Sequence, residues 1–253
     1  MPISIILVQP EIPENIGFIA RSMKCYNQES LYIVGRRKLT PMSRAYKTGS
    51  SAVDILDNVQ YHKSLADALK PFHMALGFTR RNRAISNKRV CLAHDTLPAV
   101  DFSLNVALVF GCESQGLSKE DCMLMNKLIR IVHPNTDFCF NLSHAVTVVL
   151  HEIFTHGIAT HNPMRTQSLE TPDTEEEPNT QHPLLENRED TFQTFLQLLE
   201  RKKVFKNNKA AAHVEYLRDL WQRASPDQNE MTFLLGLVSR LVQETGLKKH
   251  KNS

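Results

Sequence analysis

The chain has 253 residues with 30 basic against 27 acidic side chains, a net charge of +3, which is long enough for one sizeable core plus an appendage and excludes attraction to nucleic acid by the whole-molecule field, leaving only local clusters. Its five cysteines are odd in number and lack C-x-x-C spacing, so a disulfide framework is excluded in favour of free thiols in a reducing, cytosolic setting. The start MPISIILVQP has no basic region or cleavage site of a signal peptide, and no apolar run approaches the roughly 18 residues of a membrane span, so a soluble, cytoplasmic protein is expected.

In chain order, ISIILV (3–8) reads as a buried strand and is followed by a helix over 14–26. SLYIVG (30–35) is a second strand, 64–70 a short helix, HMALGF (73–78) a third strand and NVALVFG (105–111) a fourth. KLIRIV (127–132) is a fifth strand candidate. Branched apolar runs alternating with helical stretches predict an α/β fold with a mainly parallel sheet. Asn141 can cap a helix that runs to about His156, because apolar positions at helical spacing follow it. From 160 to 187 the sequence turns to Thr, Pro and Glu, too poor in apolar residues to offset its ordering entropy, and reads as a flexible linker between a domain at 1–159 and a helical extension at 188–253. In that extension EDTFQTFLQLLERKK, KAAAHVEYLRDLWQRA and DQNEMTFLLGLVSRLVQETG each carry an apolar stripe at three- and four-residue intervals, so three amphipathic helices must cover one another or another surface.

Neither G-x-G-x-x-G nor G-x-x-x-x-G-K-[ST] is present, which argues against the common nucleotide folds. HEIFTH places His151 and His156 five residues apart, about 140° around a helix, so they do not make the zinc pair of H-E-x-x-H, and no metal is expected. Three stretches carry polar residues at strand ends, where open α/β sheets bind ligands. PENIGFIARSMKCY (13–26) holds Asn15 and Arg21; VALVFGCESQGLS (106–118) holds Gly111, Glu113 and Gly116; DFCFNLSHAV (137–146) holds Asn141 and Ser143. Each has a plainer reading: a solvated arginine, a tight turn, a helix cap. Against the plain reading, glycines let the backbone approach a ligand, and a carboxylate at a buried strand end needs a partner. GRRK (35–38) and TRRNRAISNKR (79–89) also follow strands and can line one rim as phosphate contacts, or be solvated surface.

Taken together and in this order, the three stretches resemble the three motifs of the SPOUT RNA methyltransferase superfamily, in its SpoU-like 2′-O-ribose branch. GFTRRNR (77–83) is similar to the GTSARSR element of the TrmJ-like branch, and VEYLRDLWQRASPDQNEMTFLLGLVSRL is similar to that branch's helical tail, so the likeness spans nearly the whole chain. The resemblance implies a trefoil knot holding S-adenosylmethionine and an obligate homodimer whose active site draws on both subunits. Carried over by position, it implies cofactor contacts at Phe78, Thr79, Arg80, Gly111, Gly116, Ile131, Phe138, Cys139 and Phe140, and catalytic roles for Arg21, Asn15, Glu113, Asn141 and Ser143. Cys139 stands where the family commonly has Ser and Arg80 where the branch has Ala, which bears on cofactor contacts more than on the reaction.

The function so implied is S-adenosylmethionine-dependent 2′-O-methylation of tRNA, at the pyrimidine two nucleotides before the anticodon. Methylation of another tRNA position or of rRNA, and a catalytically silent RNA-binding dimer, are the alternatives. A guanidinium is a poor proton acceptor, so Arg21 is expected to bind the adjoining phosphate and stabilise developing alkoxide charge, its geometry fixed by Asn15 and Glu113. RNA would be read by shape and backbone, with RKKVFKNNK (201–209) adding phosphate contacts or the tail serving only dimer packing.

Overall fold

The computed structural model describes residues 3–36, 38–80, 90–135, 138–161, 183–201 and 210–247. Its contacts divide the chain into two compact units, Met1–Glu175 and Glu176–Ser253. The first holds a seven-stranded sheet. In chain order its strands are β1 (Ile3–Val8), β2 (Ser30–Val34), β3 (Gln60–His62), β4 (Met74–Phe78), β5 (Val90–Leu92), β6 (Val106–Phe110) and β7 (Lys127–Arg130), arranged β3-β2-β1-β6-β4-β7-β5. Every pairing is parallel. All six residues of β1 and all five of β6 are buried, as expected for interior strands covered on both faces and therefore apolar throughout. The chain leaving β6 passes beyond β4 and returns as β7 on the far edge of that strand.

Helix α1 (Pro13–Cys25) buries Ile16, Ile19, Ala20 and Met23, a stripe at helical spacing. Helix α7 (Leu142–His161) buries Leu142, Val146, Val149, Leu150 and Ile153 in the same way. Both stripes join alternate residues of the strands, among them Ile3, Ile5 and Leu7 of β1 and Val106, Leu108 and Phe110 of β6, in one apolar cluster. Each fully buried branched side chain there contributes ~1.5 to 3 kcal/mol. Short helices α2 (Arg44–Thr48) and α3 (Val53–Asp57) lie against α1. The approach of α2 is close because residue 17 is glycine: a Cβ there would stand 2.1 Å from Thr48 Oγ1 and 2.2 Å from the Ala45 carbonyl oxygen. Helix α4 (Leu65–Leu69) packs beside β2 and β3, α5 (Ala93–Thr96) follows β5, and α6 (Lys119–Met123) starts with a reciprocal Ser118–Asp121 capping box.

The second unit consists of α8 (Leu185–Arg201), α9 (Ala210–Ala224) and α10 (Gln228–Leu247). Phe192, Leu196, Trp221 and Met231 form its small core, edged by Val214, Leu217 and Leu234. Nη1 of Arg218 reaches both carboxylate oxygens of Glu189, at 2.8 and 2.7 Å, and its guanidinium lies 4.8 Å from the centre of the Phe192 ring. Burial pushes Arg188 down to about 10, against the opposing charge of Glu230. Asp227 and Glu230 cap α10 reciprocally, at 2.9 and 2.8 Å. Among the described residues no helix is long and apolar enough to cross a membrane.

Element boundaries differ modestly from the sequence reading. β7 stops at Arg130, so Ile131 and Val132 belong to the following segment rather than to the strand. Helix α7 runs to His161 and α8 begins at Leu185; of the stretch read as a linker, 162–182 lies outside the described residues.

Candidate active site

The carboxyl ends of the parallel strands bring the three motifs to one edge of the sheet. β1 leads into α1 through residues 9–12, and β6 leads into a turn over 112–116. That turn is tight: the Gly116 amide donates to the Cys112 carbonyl at 2.8 Å, and Gly116 has φ +68, in the left-handed region that glycine adopts without strain. It folds back so closely that a Cβ on Gly111 would stand 2.0 Å from the Gly116 carbonyl carbon. Both glycines are thus required by the backbone, one for its conformation and one for its lack of a side chain.

The turn aims Glu113 at the start of α1. Its carboxylate accepts from the Glu11 amide at 2.8 Å, the Ile12 amide at 3.2 Å and Asn15 Nδ2 at 2.7 Å. Ile12 at the N-cap has no side chain able to cap, and Pro13 has no N–H to offer; the carboxylate from β6's exit instead binds the two amides just before the helix and places negative charge at its positive end. Asn15 is 4% exposed, and this bond is what satisfies its amide. Ser114 Oγ adds a 2.5 Å bond to Glu11 Oε1. In the first turn of α1, the hydrogen bond from Arg44 holds the Glu14 carboxyl below its ordinary value.

At the third motif, Asn141 Oδ1 accepts from the Ser143 amide at 2.9 Å and from Ser143 Oγ at 2.8 Å, which caps α7. Thr147, one turn on, bonds back to the Ser143 carbonyl and meets Ser22 Oγ of α1 at 2.6 Å. The Asn141 and Ser143 pair therefore anchors the helix that holds the middle of α1. Arg21, beside Ser22, is exposed and makes no hydrogen bond or ion pair among the described residues. It lies about 120° around the helix from Asn15 and about 9 Å along it, and shares no hydrogen bond with Asn15 or Glu113.

The residues assigned to the cofactor gather where β4, β6 and β7 end. Phe78 and Phe110 stack at 4.6 Å with planes 6° apart, and the Thr79 amide donates to the Ile129 carbonyl at 2.9 Å. Beyond β7, Ile131 is half-buried while Phe138, Cys139 and Phe140 are exposed, with Phe140 edge-on to His133 at 5.2 Å. Arg80 is exposed at the exit of β4. The open space about Gly116 and the apolar, backbone-rich character of this lining fit a sulfonium nucleoside: aromatic and branched surface for an adenine, backbone groups for its polar edges.

Sequence reasoning missed Arg36. Within GRRK it reads as a phosphate contact or solvated surface, but it is half-buried and donates to the carbonyls of Pro10 and Glu11, the latter at 3.0 Å. Position-independent composition cannot show this; the signal is Gly35, whose φ of +70 turns the chain toward residue 9. His151, considered for zinc, faces Tyr26, with Nδ1 3.2 Å from the phenol oxygen. The described residues contain no group of three metal-ligating side chains. Of the basic clusters, Arg37, 81–89 and 202–209 lie outside the described residues.

The SpoU rRNA Methylase family model matches residues 2–151. Over 246 residues the chain is 27% identical to the tRNA (cytidine/uridine-2′-O-)-methyltransferase TrmJ of Citrobacter koseri, covering 96% of this chain and 97% of that protein. It is 33% identical over 159 residues to the tRNA (cytidine-2′-O-)-methyltransferase TrmJ of Methanocaldococcus jannaschii, 62% of this chain and 69% of that protein. In fold it is similar to TrmJ from Z. mobilis ZM4, with a TM-score of 0.71, 24% identity and coverage of 94% and 98% of the two chains. The SpoU methyltransferase AviRb from Streptomyces viridochromogenes in complex with AdoMet is also similar in fold, with a TM-score of 0.50, 19% identity and coverage of 62% and 58%. A match that takes in all three motifs and more than half of the residues makes this chain a member of the SpoU family of RNA methyltransferases.

Proposed function

We propose that this chain is a tRNA 2′-O-ribose methyltransferase that acts, in the cytoplasm, on the pyrimidine two nucleotides before the anticodon. The observation that carries the reading is the Glu113 carboxylate, which joins the turn beside the cofactor lining to the first residues of the helix bearing Arg21. One rigid connection thus sets the distance between the two halves of a transfer site, and near-attack placement is where such a reaction gains most. The two TrmJ relatives, whose names specify cytidine or uridine 2′-O-transfer on tRNA, support the substrate.

S-adenosylmethionine, held by Phe78, Thr79, Gly111, Ile131 and residues 138–140, supplies a methyl carbon made electrophilic by its sulfonium. The chain's own residues do the rest. Arg21, exposed and with no protein partner among the described residues, is available to grip the phosphate next to the target ribose and to stabilise negative charge growing on the 2′-oxygen as its proton passes to water. Asn141, Ser143, Thr147 and Ser22 keep the middle of α1 in place while it does so. The return of β7 past β4, followed by α7 against α1, supports a knotted path around the cofactor residues. Exposed Ile12 and Phe18 on the α1 side and Phe154 on α7 suit a second copy of the chain, which would complete the site as a homodimer.

Arg21→Ala is expected to lower methyl transfer to tRNA by about 1,000-fold or more, a loss of roughly 4 kcal/mol of transition-state stabilisation. Calorimetry should show S-adenosylmethionine binding unchanged. Wild-type turnover by the variant would remove the role, and absence of cofactor binding by the wild-type protein would favour a silent RNA-binding dimer.

A further inference from the structure

We propose that Arg36 is a positioning residue for the transfer reaction, acting on Arg21 through the backbone of residues 10–12. The inference rests on the reading of α1 as the carrier of the reactive guanidinium.

Residues 10–12 present five backbone hydrogen-bonding groups, since Pro10 has no N–H, and all five are engaged. Arg36 takes the Pro10 and Glu11 carbonyls; Glu113 takes the Glu11 and Ile12 amides; the Ile12 carbonyl accepts from the Asn15 amide at 3.1 Å. The segment is thus held from opposite sides by a guanidinium and a carboxylate from the ends of two different strands. Just before it, Gln9 has φ +50 and its amide bonds the Val34 carbonyl at 2.8 Å, so the exits of β1 and β2 are tied together. Gly35 makes room for this: a Cβ there would stand 2.9 Å from Gln9 Cγ.

A cation near a helix N-terminus is opposed by the helix dipole. Arg36 is nevertheless directed there, which a solvated or RNA-facing arginine would have no cause to be. What the grip secures is angle. Arg21 lies eight residues beyond Pro13, about 12 Å along the axis, so a tilt of about 5° at the start of α1 moves it by about 1 Å. A misplacement of that size can slow a positioned reaction by about 100-fold.

The test compares Arg36→Gln and Arg36→Lys with wild type on full-length protein and tRNA, under single-turnover conditions with labelled S-adenosylmethionine. Arg36→Gln should transfer methyl roughly 10- to 100-fold more slowly while its affinities for tRNA and S-adenosylmethionine stay within about twofold. Arg36→Lys should be intermediate, keeping the charge and one donor nitrogen without the planar guanidinium that aims it. The slope of log tRNA affinity against log salt should not change. A slope reduced by roughly 0.7 to 0.9, with weaker tRNA binding, would make Arg36 a phosphate contact and overturn the proposal, as would an unchanged transfer rate. If Arg36→Gln does not fold, folded Arg36→Lys decides by the same rate comparison. Amide exchange at Glu11 and Ile12 gives a readout independent of activity: it should quicken in the variants, and unchanged exchange overturns the proposal. A wild-type protein that transfers no methyl to tRNA would instead sink the proposed function and leave the exchange result to judge Arg36.

Discussion

The start and the middle of α1 are built in opposite ways. At its start, Glu113, Asn15 and Arg36 bind one another or the backbone, Ser114 binds the Glu11 side chain, and every backbone polar group of 10–12 has a partner. About two turns later Arg21 stands exposed with no partner among the described residues. The contrast separates fixing a group from using it: the polar residues that resemble catalytic ones are consumed in holding a helix, and the one left open is the one that can meet a substrate. Two carboxylate oxygens that already accept three hydrogen bonds are ill placed to take a proton as well.

The largest expected break of this contrast is Gly111→Ala. The added methyl has backbone, not a flexible side chain, in its way, so the 112–116 turn must move, carrying Glu113 off α1. A loss of at least about 4 kcal/mol in denaturant unfolding is expected, in the range of strained backbone and broken networks. Glu113→Ala is the next test. It strands the buried Asn15 side-chain amide and the two backbone amides of Glu11 and Ile12 just before the helix, and should lower stability by about 2 to 3 kcal/mol, a fall in melting temperature of roughly 4 to 12 °C, with slower transfer by the folded protein. The smallest effect sharpens the comparison at mid-helix. Ser22→Ala and Thr147→Val should each lower stability by about 1 kcal/mol, and the double variant should lose less than their sum because one bond joins them. Full additivity would mean that α7 does not hold this part of α1.

Much of this could be seen in the sequence, for a physical reason: β1 and β6 are buried on both faces, so their composition alone marks them as interior parallel strands. β3 and β5, three residues each at the sheet edges, went unseen because a short, half-buried strand has neither length nor alternation to declare it. Asn141 showed its role through local spacing, since a cap acts on the next turn. Glu113 and Asn15 could be nominated but not paired, because their contact spans 98 residues of sequence. Arg36 was misjudged for a related reason. Its partners are backbone carbonyls, which carry no side-chain signature at all.

The place of β6 in the sheet has an engineering corollary. Among the described strands it is the sole neighbour shared by β1, which feeds the Arg21 helix, and β4, which ends at Phe78. Its exit is therefore a fulcrum shared by both strand ends, and lengthening the 112–116 hairpin would shift the proposed acceptor and donor halves together. Added residues before β3, at the outer margin, would meet no such lever, so that rim is where a tag or reporter can be grafted without disturbing the chemistry.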